Sequence, residues 1–138
     1  LPFKITFSCY LRLDMLWVNR NQDVPQHQLL IEMGLKRAEF GVETTNPESA
    51  KDIGKGLNPA LQMSFLRDLK DNHGWKDIVT GSGFILGLPS DTKESIQETF
   101  RILSSDEFPI DRRHTGTQCP ESCITVCLKP GQIEMACH

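Results

Sequence analysis

Three stretches of the chain alternate apolar and polar residues with a period of two, and each predicts a β-strand. They are residues 4–14, 36–45 and 78–86. One face of the first stretch is apolar and consists of Ile5, Phe7, Cys9, Leu11 and Leu13. The apolar face of the second consists of Ala38, Phe40 and Val42. We therefore expect strands with one buried face at these three places.

Helical patterns separate the predicted strands. The segment VPQHQLLIEMG predicts a short helix that ends at Gly34. The pairs Asn46-Pro47 and Asn58-Pro59 each place a capping residue before a proline at the first helical position. The first pair opens a short helix, and the second opens a longer one. The buried stripe of the longer helix is predicted to consist of Leu61, Phe65 and Leu69.

A last helix follows the third strand. Asp91 is its predicted N-cap, and Glu94 three residues later completes a capping-box pattern. The buried stripe of this helix is predicted to consist of Ile96, Phe100 and Leu103. Strands and helices thus alternate, and connections that contain helices join parallel strands. The sequence therefore predicts an α/β fold with a parallel sheet.

The two faces of the predicted strands differ, because one is apolar and the other is polar or rich in glycine. In an open α/β sheet both faces are covered by helices and are apolar. A polar inner face instead suits a curved sheet that lines a cavity, as in a (β/α) barrel. We predict a partial parallel (β/α) barrel of about three βα units in residues 1–113, followed by an irregular, cysteine-containing tail in residues 114–138. In this tail we expect at most a hairpin around Lys129-Pro130-Gly131.

The inner face of the third strand carries almost no side chains, because three of its four residues are glycines. These residues are Gly81, Gly83, Ile85 and Gly87. Glycine weakens a strand interior, because it adds backbone entropy and packs no side chain. We interpret this face as room for a flat ligand to approach the backbone. The alternative is that large side chains from a neighbouring strand fill the space.

Polar residues gather where the predicted strands end, and they are Arg12, Asp14, Glu43, Thr44, Thr45, Ser90 and Asp91. Because the carboxyl ends of parallel strands meet at one edge, we expect these residues to converge on one rim. Local roles are the alternatives. Arg12 and Asp14 would then form an ion pair, and Glu43 would be a solvated carboxylate. Ser90 and Asp91 would cap the last helix.

The composition argues against several classes of protein. The net charge is −3, which gives no electrostatic basis for nucleic-acid binding. No run approaches the roughly 18 apolar residues that a membrane span needs. Four of the five cysteines lie at the C-terminal end, unlike the even spread of a secreted disulfide scaffold, so we expect a cytoplasmic location. The chain begins without Met, and we expect a fragment or a processed product.

Three segments together resemble the central part of a radical S-adenosylmethionine (SAM) protein, of the subgroup often fused to cobalamin-binding domains. They are MGLKRAEFGVETTN, SFLRDLKDN and TGSGFILGLPSDTKESIQETF. The most specific piece is GFILGLP, residues 83–89, which is similar to the family's glycine-rich fifth strand, GxIxG. The resemblance runs from about Ile5 to Arg113. It implies that the chain supplies central strands of that family's barrel.

The resemblance also implies SAM as a small-molecule cofactor. It assigns adenine to Gly83, Ile85 and Gly87. It assigns the ribose and methionine parts of SAM to Glu43, Thr44 and Thr45. Arg12 and Asp14 take positions at the end of a neighbouring strand. In the family, SAM is cleaved reductively to a 5′-deoxyadenosyl radical, which abstracts a hydrogen atom from the substrate. The protein orients SAM, and the cofactors carry the difficult step.

The chain departs from the family in lacking the defining CxxxCxxC motif, whose thiolates hold a [4Fe–4S] cluster. We therefore predict that the chain contributes part of the SAM-binding wall and is inactive alone. The N-terminal barrel half, the cluster and any cobalamin would belong to the full-length parent. Two alternatives stay open. One is a non-catalytic fragment whose Cys119, Cys123 and Cys127 hold zinc or an iron–sulfur cluster. The other is a non-redox barrel lyase, which needs an inner-strand lysine, and only Lys4 qualifies.

Overall fold

A three-stranded parallel sheet organises the chain in the computed structural model. The structure describes residues 5–106 and 108–110, together with the backbone of residues 125–129 and 132–136. Strands β1 (Phe7–Leu11), β2 (Leu35–Glu43) and β3 (Val79–Phe84) pair in the order β1-β2-β3. The predicted α/β class is confirmed. The sheet is open, however, so its closure into a barrel stays a prediction.

Helices connect these strands and follow the last one. They are α1 (Leu13–Val18), α2 (Gln26–Glu32), α3 (Pro47–Asp52), α4 (Pro59–Asn72) and α5 (Lys93–Ser104). Within the described ranges, no helix is long and apolar enough to cross a membrane.

Local signals place three of the predicted boundaries. The side chain of Asn46 accepts a hydrogen bond from the Glu48 N–H at the start of α3, and Asn58 caps α4 in the same way. Each bond satisfies a backbone donor that a helix leaves unpaired at its N-terminus. Gly34 has a φ of +105°, and an added Cβ would stand 2.1 Å from the carbonyl oxygen of Ile5. Only glycine therefore fits the turn into β2.

The helix-facing side of the sheet and the inner faces of the helices form one core. It consists of Leu13, Leu16, Leu35, Ala38, Phe40, Val42, Phe65, Leu66, Leu69, Trp75, Val79, Phe84 and Leu103. The predicted buried face of β2 is confirmed. Burial of each large apolar side chain stabilises the fold by about 1.5–3 kcal/mol. Because this side of the sheet supplies the core, the opposite side is the one that could bind a ligand.

One prediction about a strand end and one about a helix face are wrong. Leu13 is predicted to end the first strand, but it begins α1 and is buried. With Leu16 and Trp17 it has the i, i+3, i+4 spacing of a helix face, which overrides the alternation. Leu61 is predicted in the buried stripe of α4, yet it is 45% exposed. Gln62 is buried instead, because its side-chain amide donates a 2.9 Å hydrogen bond to the carbonyl of Leu57.

The N-cap of α5 is Thr92 rather than the predicted Asp91. The Thr92 side chain accepts from the Ser95 N–H, and the Ser95 hydroxyl accepts from the Thr92 N–H. The capping box is therefore real but starts one residue later than predicted. Of the predicted stripe of α5, Leu103 is buried and the other two residues are half-buried.

The predicted C-terminal hairpin is confirmed in the backbone. β4 (Thr125–Lys129) pairs antiparallel with β5 (Gln132–Ala136) in a separate two-stranded sheet. Cys119 and Cys123 lie outside the described residues, and only the backbone of Cys127 is described. A metal site in the tail therefore stays a prediction.

Candidate functional site

The face of the sheet opposite the core carries two glycines on β3, Gly81 and Gly83. Gly81 pairs with Glu39 and Gly83 pairs with Gly41, so the glycines share the polar face of β2. A Cβ built at Gly83 would meet no atom within 4 Å in the part of the chain that the structure describes. Phe84, by contrast, is fully buried in the core. No described side chain therefore fills the space at Gly83. At Gly81 the alternative holds, because the side chain of Glu39 on β2 lies 3.5 Å from the position that a Cβ would take.

The other two predicted positions of the glycine face lie just beyond β3. Ile85 donates a 2.7 Å backbone hydrogen bond to the carbonyl of Glu43 and is half-buried. Gly87 is exposed and has a φ of +84°, a backbone conformation that favours glycine. A turn, rather than a place on the strand face, explains the glycine at this position.

Glu43 folds back over the carboxyl end of β2. Its φ is +71°, which is uncommon for a residue with a side chain and costs on the order of 1–3 kcal/mol. A Cβ at Gly41 would stand 2.2 Å from Glu43 Oε1, so the carboxylate occupies the space that this glycine leaves. Because Gly41 is the ladder partner of Gly83, the carboxylate lies next to the open space on β3.

Lys55, which the sequence analysis does not single out, reaches the same face of the sheet. Its Nζ donates a 2.6 Å hydrogen bond to the carbonyl of Gly41 and lies 3.6 Å from Oε1 of Glu43. Its side chain is only 11% exposed. The flanking residues Gly54 and Gly56 are the sequence signal that could have found it. The structure thus adds a nearly buried cation to the predicted site.

Arg12 and Asp14 form the local ion pair that the sequence leaves as an alternative, with 2.6 Å between Nη2 and Oδ2. The hydrogen bond from Arg12, more than any other contact, holds the pKa of Asp14 below its ordinary value. Arg12 also donates to the carbonyl of Gly54 at 3.4 Å, and Asp14 accepts from the Gly56 N–H. The pair therefore holds in place the segment 54–56, which carries Lys55.

Thr44 and Thr45 both have partners within the protein. Thr44 is 2% exposed, and its hydroxyl oxygen accepts a 3.0 Å hydrogen bond from the Asn46 N–H. The hydroxyl of Thr45 lies 2.6 Å from the hydroxyl of Thr99 on α5. These contacts fix the loop after β2 to neighbouring elements. A direct contact of either threonine with a ligand stays a prediction.

The loop after β3 is tied to α3 by Asp91. One of its oxygens accepts from the N–H groups of Gly87 and Leu88, each at 3.0 Å. The other accepts from the hydroxyl of Ser49 at 2.5 Å. The side-chain amide of Asn46 donates to the carbonyl oxygen of Ser90 at 3.1 Å. The strand ends thus converge on one rim, as expected, but Ser90 and Asp91 join loops rather than cap a helix.

The described residues do not provide a metal centre. No group of three or more His, Cys, Asp or Glu side chains among them could hold a metal ion. Cys9 is a free, half-buried thiol on β1, and its burial raises the pKa above the ordinary value. Lys4, on which the lyase alternative depends, lies outside the described residues.

A cleft lies away from this rim, at the last turns of α4 and α5. Its lining includes Arg67 and Lys70 of α4 and Phe108 and Ile110 of the segment after α5. Lys70 donates a hydrogen bond to the carbonyl of Pro109, which closes part of it. Because crossover helices run antiparallel to their strands, this cleft faces the amino ends of the strands. It contains none of the predicted site residues.

Comparison with known proteins gives a distant similarity. No family model matches the chain, and no solved structure matches it. Over 98 residues the chain is 26% identical to an uncharacterized methyltransferase of Pyrococcus horikoshii. The match covers 67% of this chain and 20% of that protein, so the chain spans about a fifth of the length of this relative. The chain is thus an α/β protein with a distant similarity to a methyltransferase.

Proposed function

We propose that this chain forms part of the SAM-binding wall of a radical SAM enzyme. The observation that carries the proposal is the space at Gly83 that no described side chain fills, beside the carboxylate of Glu43. A flat purine needs close access to a strand backbone, and a side chain at Gly83 would obstruct it. The residues of this face therefore fit an adenosyl group.

Polar groups beside the open face fit the rest of such a ligand. The carboxylate of Glu43 is an acceptor of the kind that a ribose diol needs. The ammonium of Lys55 lies 3.6 Å from it and supplies donors to the same face. When bound, SAM supplies a reactive sulfonium that the family cleaves reductively. The described residues would orient the adenosyl group, exclude water from the backbone of β3 and hold Glu43 in place.

The distant relative supports the same class of ligand. It is described as a methyltransferase, and SAM is the general methyl donor in biology. Transfer of a methyl group and radical cleavage both need a site for SAM, so the relative supports the cofactor rather than one reaction. The cluster-binding part, the remaining strands of a barrel and any cobalamin-binding domain belong to the proposal for a longer parent protein.

The proposal is tested by titrating the ¹⁵N-labelled chain with SAM and following backbone amide resonances. We expect the largest shifts at Gly81 and Gly83. Gly83→Val places a branched side chain in the open space and should weaken binding at least tenfold. Ser8→Val is the matched control, because Ser8 is an exposed position on the edge strand β1. A folded chain whose strand resonances do not respond to SAM at millimolar concentration would overturn the proposal.

A further inference from the structure

Glu39 places a carboxylate on the face of the sheet opposite the core. It pairs with Gly81 in the ladder between β2 and β3. The atoms nearest to the position of an added Cβ at Gly81 are Cδ, Cγ and Oε2 of Glu39, at 3.5, 3.5 and 3.8 Å. The side chain therefore leans across the glycine toward β3. Among the residues that the structure describes, no hydrogen bond or ion pair holds this carboxylate.

Partial burial makes it costly to leave the carboxylate of Glu39 unpaired. Glu39 is half-buried, and a charge that is partly removed from water needs a counter-charge or hydrogen bonds to offset its desolvation. The nearly buried cation of the same face, Lys55, is engaged nearer the carboxyl end of β2, where it donates to Gly41 and lies 3.6 Å from Glu43. A bound cation would supply the counter-charge that the described residues do not.

An exposed aromatic side chain flanks this carboxylate on β1. Tyr10 pairs with Glu39 in the ladder, and neighbouring strands lie about 4.8 Å apart. Cys9 and Leu11 pack against the core, so alternation along the strand places Tyr10 on the opposite face, where it is 74% exposed. An aromatic ring attracts cations through the negative face of its π-system, and a carboxylate attracts them by its charge. The two side chains together favour an organic cation.

We propose that Glu39 and Tyr10 bind an organic cation, an ammonium or guanidinium group that the substrate carries. The assignment of this cation to the substrate rests on the proposed function, because it takes the adenosyl group to lie at Gly83. A strand rises about 3.3 Å per residue, so Gly81 is about 7 Å from Gly83 and the two groups lie side by side on one face. The substrate is thus a basic molecule that lies nearer the amino ends of the strands than the adenosyl group does.

Butylguanidinium and butylurea test this site, because they have nearly the same shape and only the first carries a charge. Binding is followed in the ¹⁵N-labelled chain through the backbone amide resonances of Glu39 and Gly81. We expect the wild-type chain to bind butylguanidinium at least fivefold more tightly than butylurea. Glu39→Gln keeps the shape of the side chain and should remove this preference. Tyr10→Leu should weaken binding of the cation about threefold, whereas Tyr10→Phe keeps the ring and should stay near wild type.

Glu48→Gln is the matched control, because it removes a carboxylate of α3 that is 66% exposed, and it should keep the full preference. If the wild-type chain does not prefer butylguanidinium, or if Glu39→Gln keeps the preference, the cation site is overturned.

Saturation with SAM separates this site from the proposed function. It should leave the affinity for butylguanidinium within about twofold, because the two ligands occupy different places on the face. Competition between them would overturn the assignment of the cation to the substrate. If the chain binds butylguanidinium but not SAM, the proposed function fails and the assignment to the substrate fails with it, whereas the cation site itself is supported.

Discussion

The hydroxyl of Ser49 donates a 2.5 Å hydrogen bond to Oδ1 of Asp91, and this contact ties α3 to the loop after β3. Ser49 is fully buried, and the other oxygen of Asp91 accepts two backbone hydrogen bonds from the same loop. A single carboxylate therefore connects the carboxyl ends of two neighbouring βα units. The rim of the candidate site depends on this connection.

Removal of this carboxylate should be more costly than removal of its partner. Asp91→Ala leaves two loop N–H groups without their acceptor and removes the acceptor of the buried Ser49 hydroxyl, and we expect a loss of about 2–3 kcal/mol in the free energy of unfolding. Ser49→Ala removes this bond and the one that the Ser49 hydroxyl accepts from the side-chain amide of Asn46, and it should cost about 1–2 kcal/mol. Urea denaturation of both variants and of the double variant measures their coupling. Strictly additive losses would contradict the contact, because residues that share a hydrogen bond should show an interaction energy.

The space at Gly41 should matter for the site more than for stability. Gly41→Ala places a Cβ 2.2 Å from Oε1 of Glu43, which is the tip of a flexible side chain. We expect the carboxylate to rotate away, at a cost below about 1.5 kcal/mol. SAM affinity should fall as it does in Glu43→Ala, and the double variant should be no weaker than the latter. An additional loss in the double variant, measured by calorimetry, would show that Gly41 acts independently of Glu43.

Variants of Thr45 and Thr99 test whether Thr45 has a structural role or contacts a ligand. Their oxygens lie 2.6 Å apart and join the loop after β2 to α5. Thr45→Val should lower the free energy of unfolding by about 1 kcal/mol through loss of one hydrogen bond. Thr99→Val should lower it by about 1–2 kcal/mol, because the Thr99 hydroxyl also donates to the carbonyl of Ser95. Both should leave SAM affinity within about twofold of wild type. A weakening that is specific to Thr45→Val would instead support the ligand contact that the resemblance implies for this residue.

Acid should destabilise the chain through His27. This side chain is 3% exposed, and its Nδ1 has no hydrogen-bond partner among the residues that the structure describes. Its ring packs against His73 at 4.5 Å between centroids. Burial first, and the charge of His73 second, lower the pKa of His27, while Asp68 opposes the shift. The folded state therefore takes up a proton at this site less readily than the unfolded chain does.

The sign of the effect follows from this difference in proton binding. The contribution of neutral His27 is complete above the unfolded pKa of about 6.5 and is lost as the pH falls toward the lower folded pKa. His27→Leu should flatten the stability profile in this range. His73→Gln keeps the burial of His27 and should keep most of the slope. Urea midpoints measured between pH 7.5 and pH 5 test this prediction. If the dependence of stability on pH is unchanged in His27→Leu, His27 is not its source.

Much of the secondary structure was readable from local pattern. Alternation identifies β2, because its two faces meet different surroundings. The prolines after Asn46 and Asn58 mark two helix starts, because a cap and a fixed φ are local requirements. Local pattern fails where two periods coincide. Leu13 continues the alternation of β1 and also begins the face of α1, and only burial against the core decides between them.

The sequence by itself determined that Gly81 and Gly83 share one face of β3, since a period of two places them on one side of a strand whatever surrounds it. The tertiary structure alone decided which side chains surround that face. Lys55 meets the Gly41 carbonyl from 14 positions away, and Ser49 meets Asp91 from 42 positions away. No periodicity encodes contacts between separate loops, because they depend on how the parallel strands bring their carboxyl ends together.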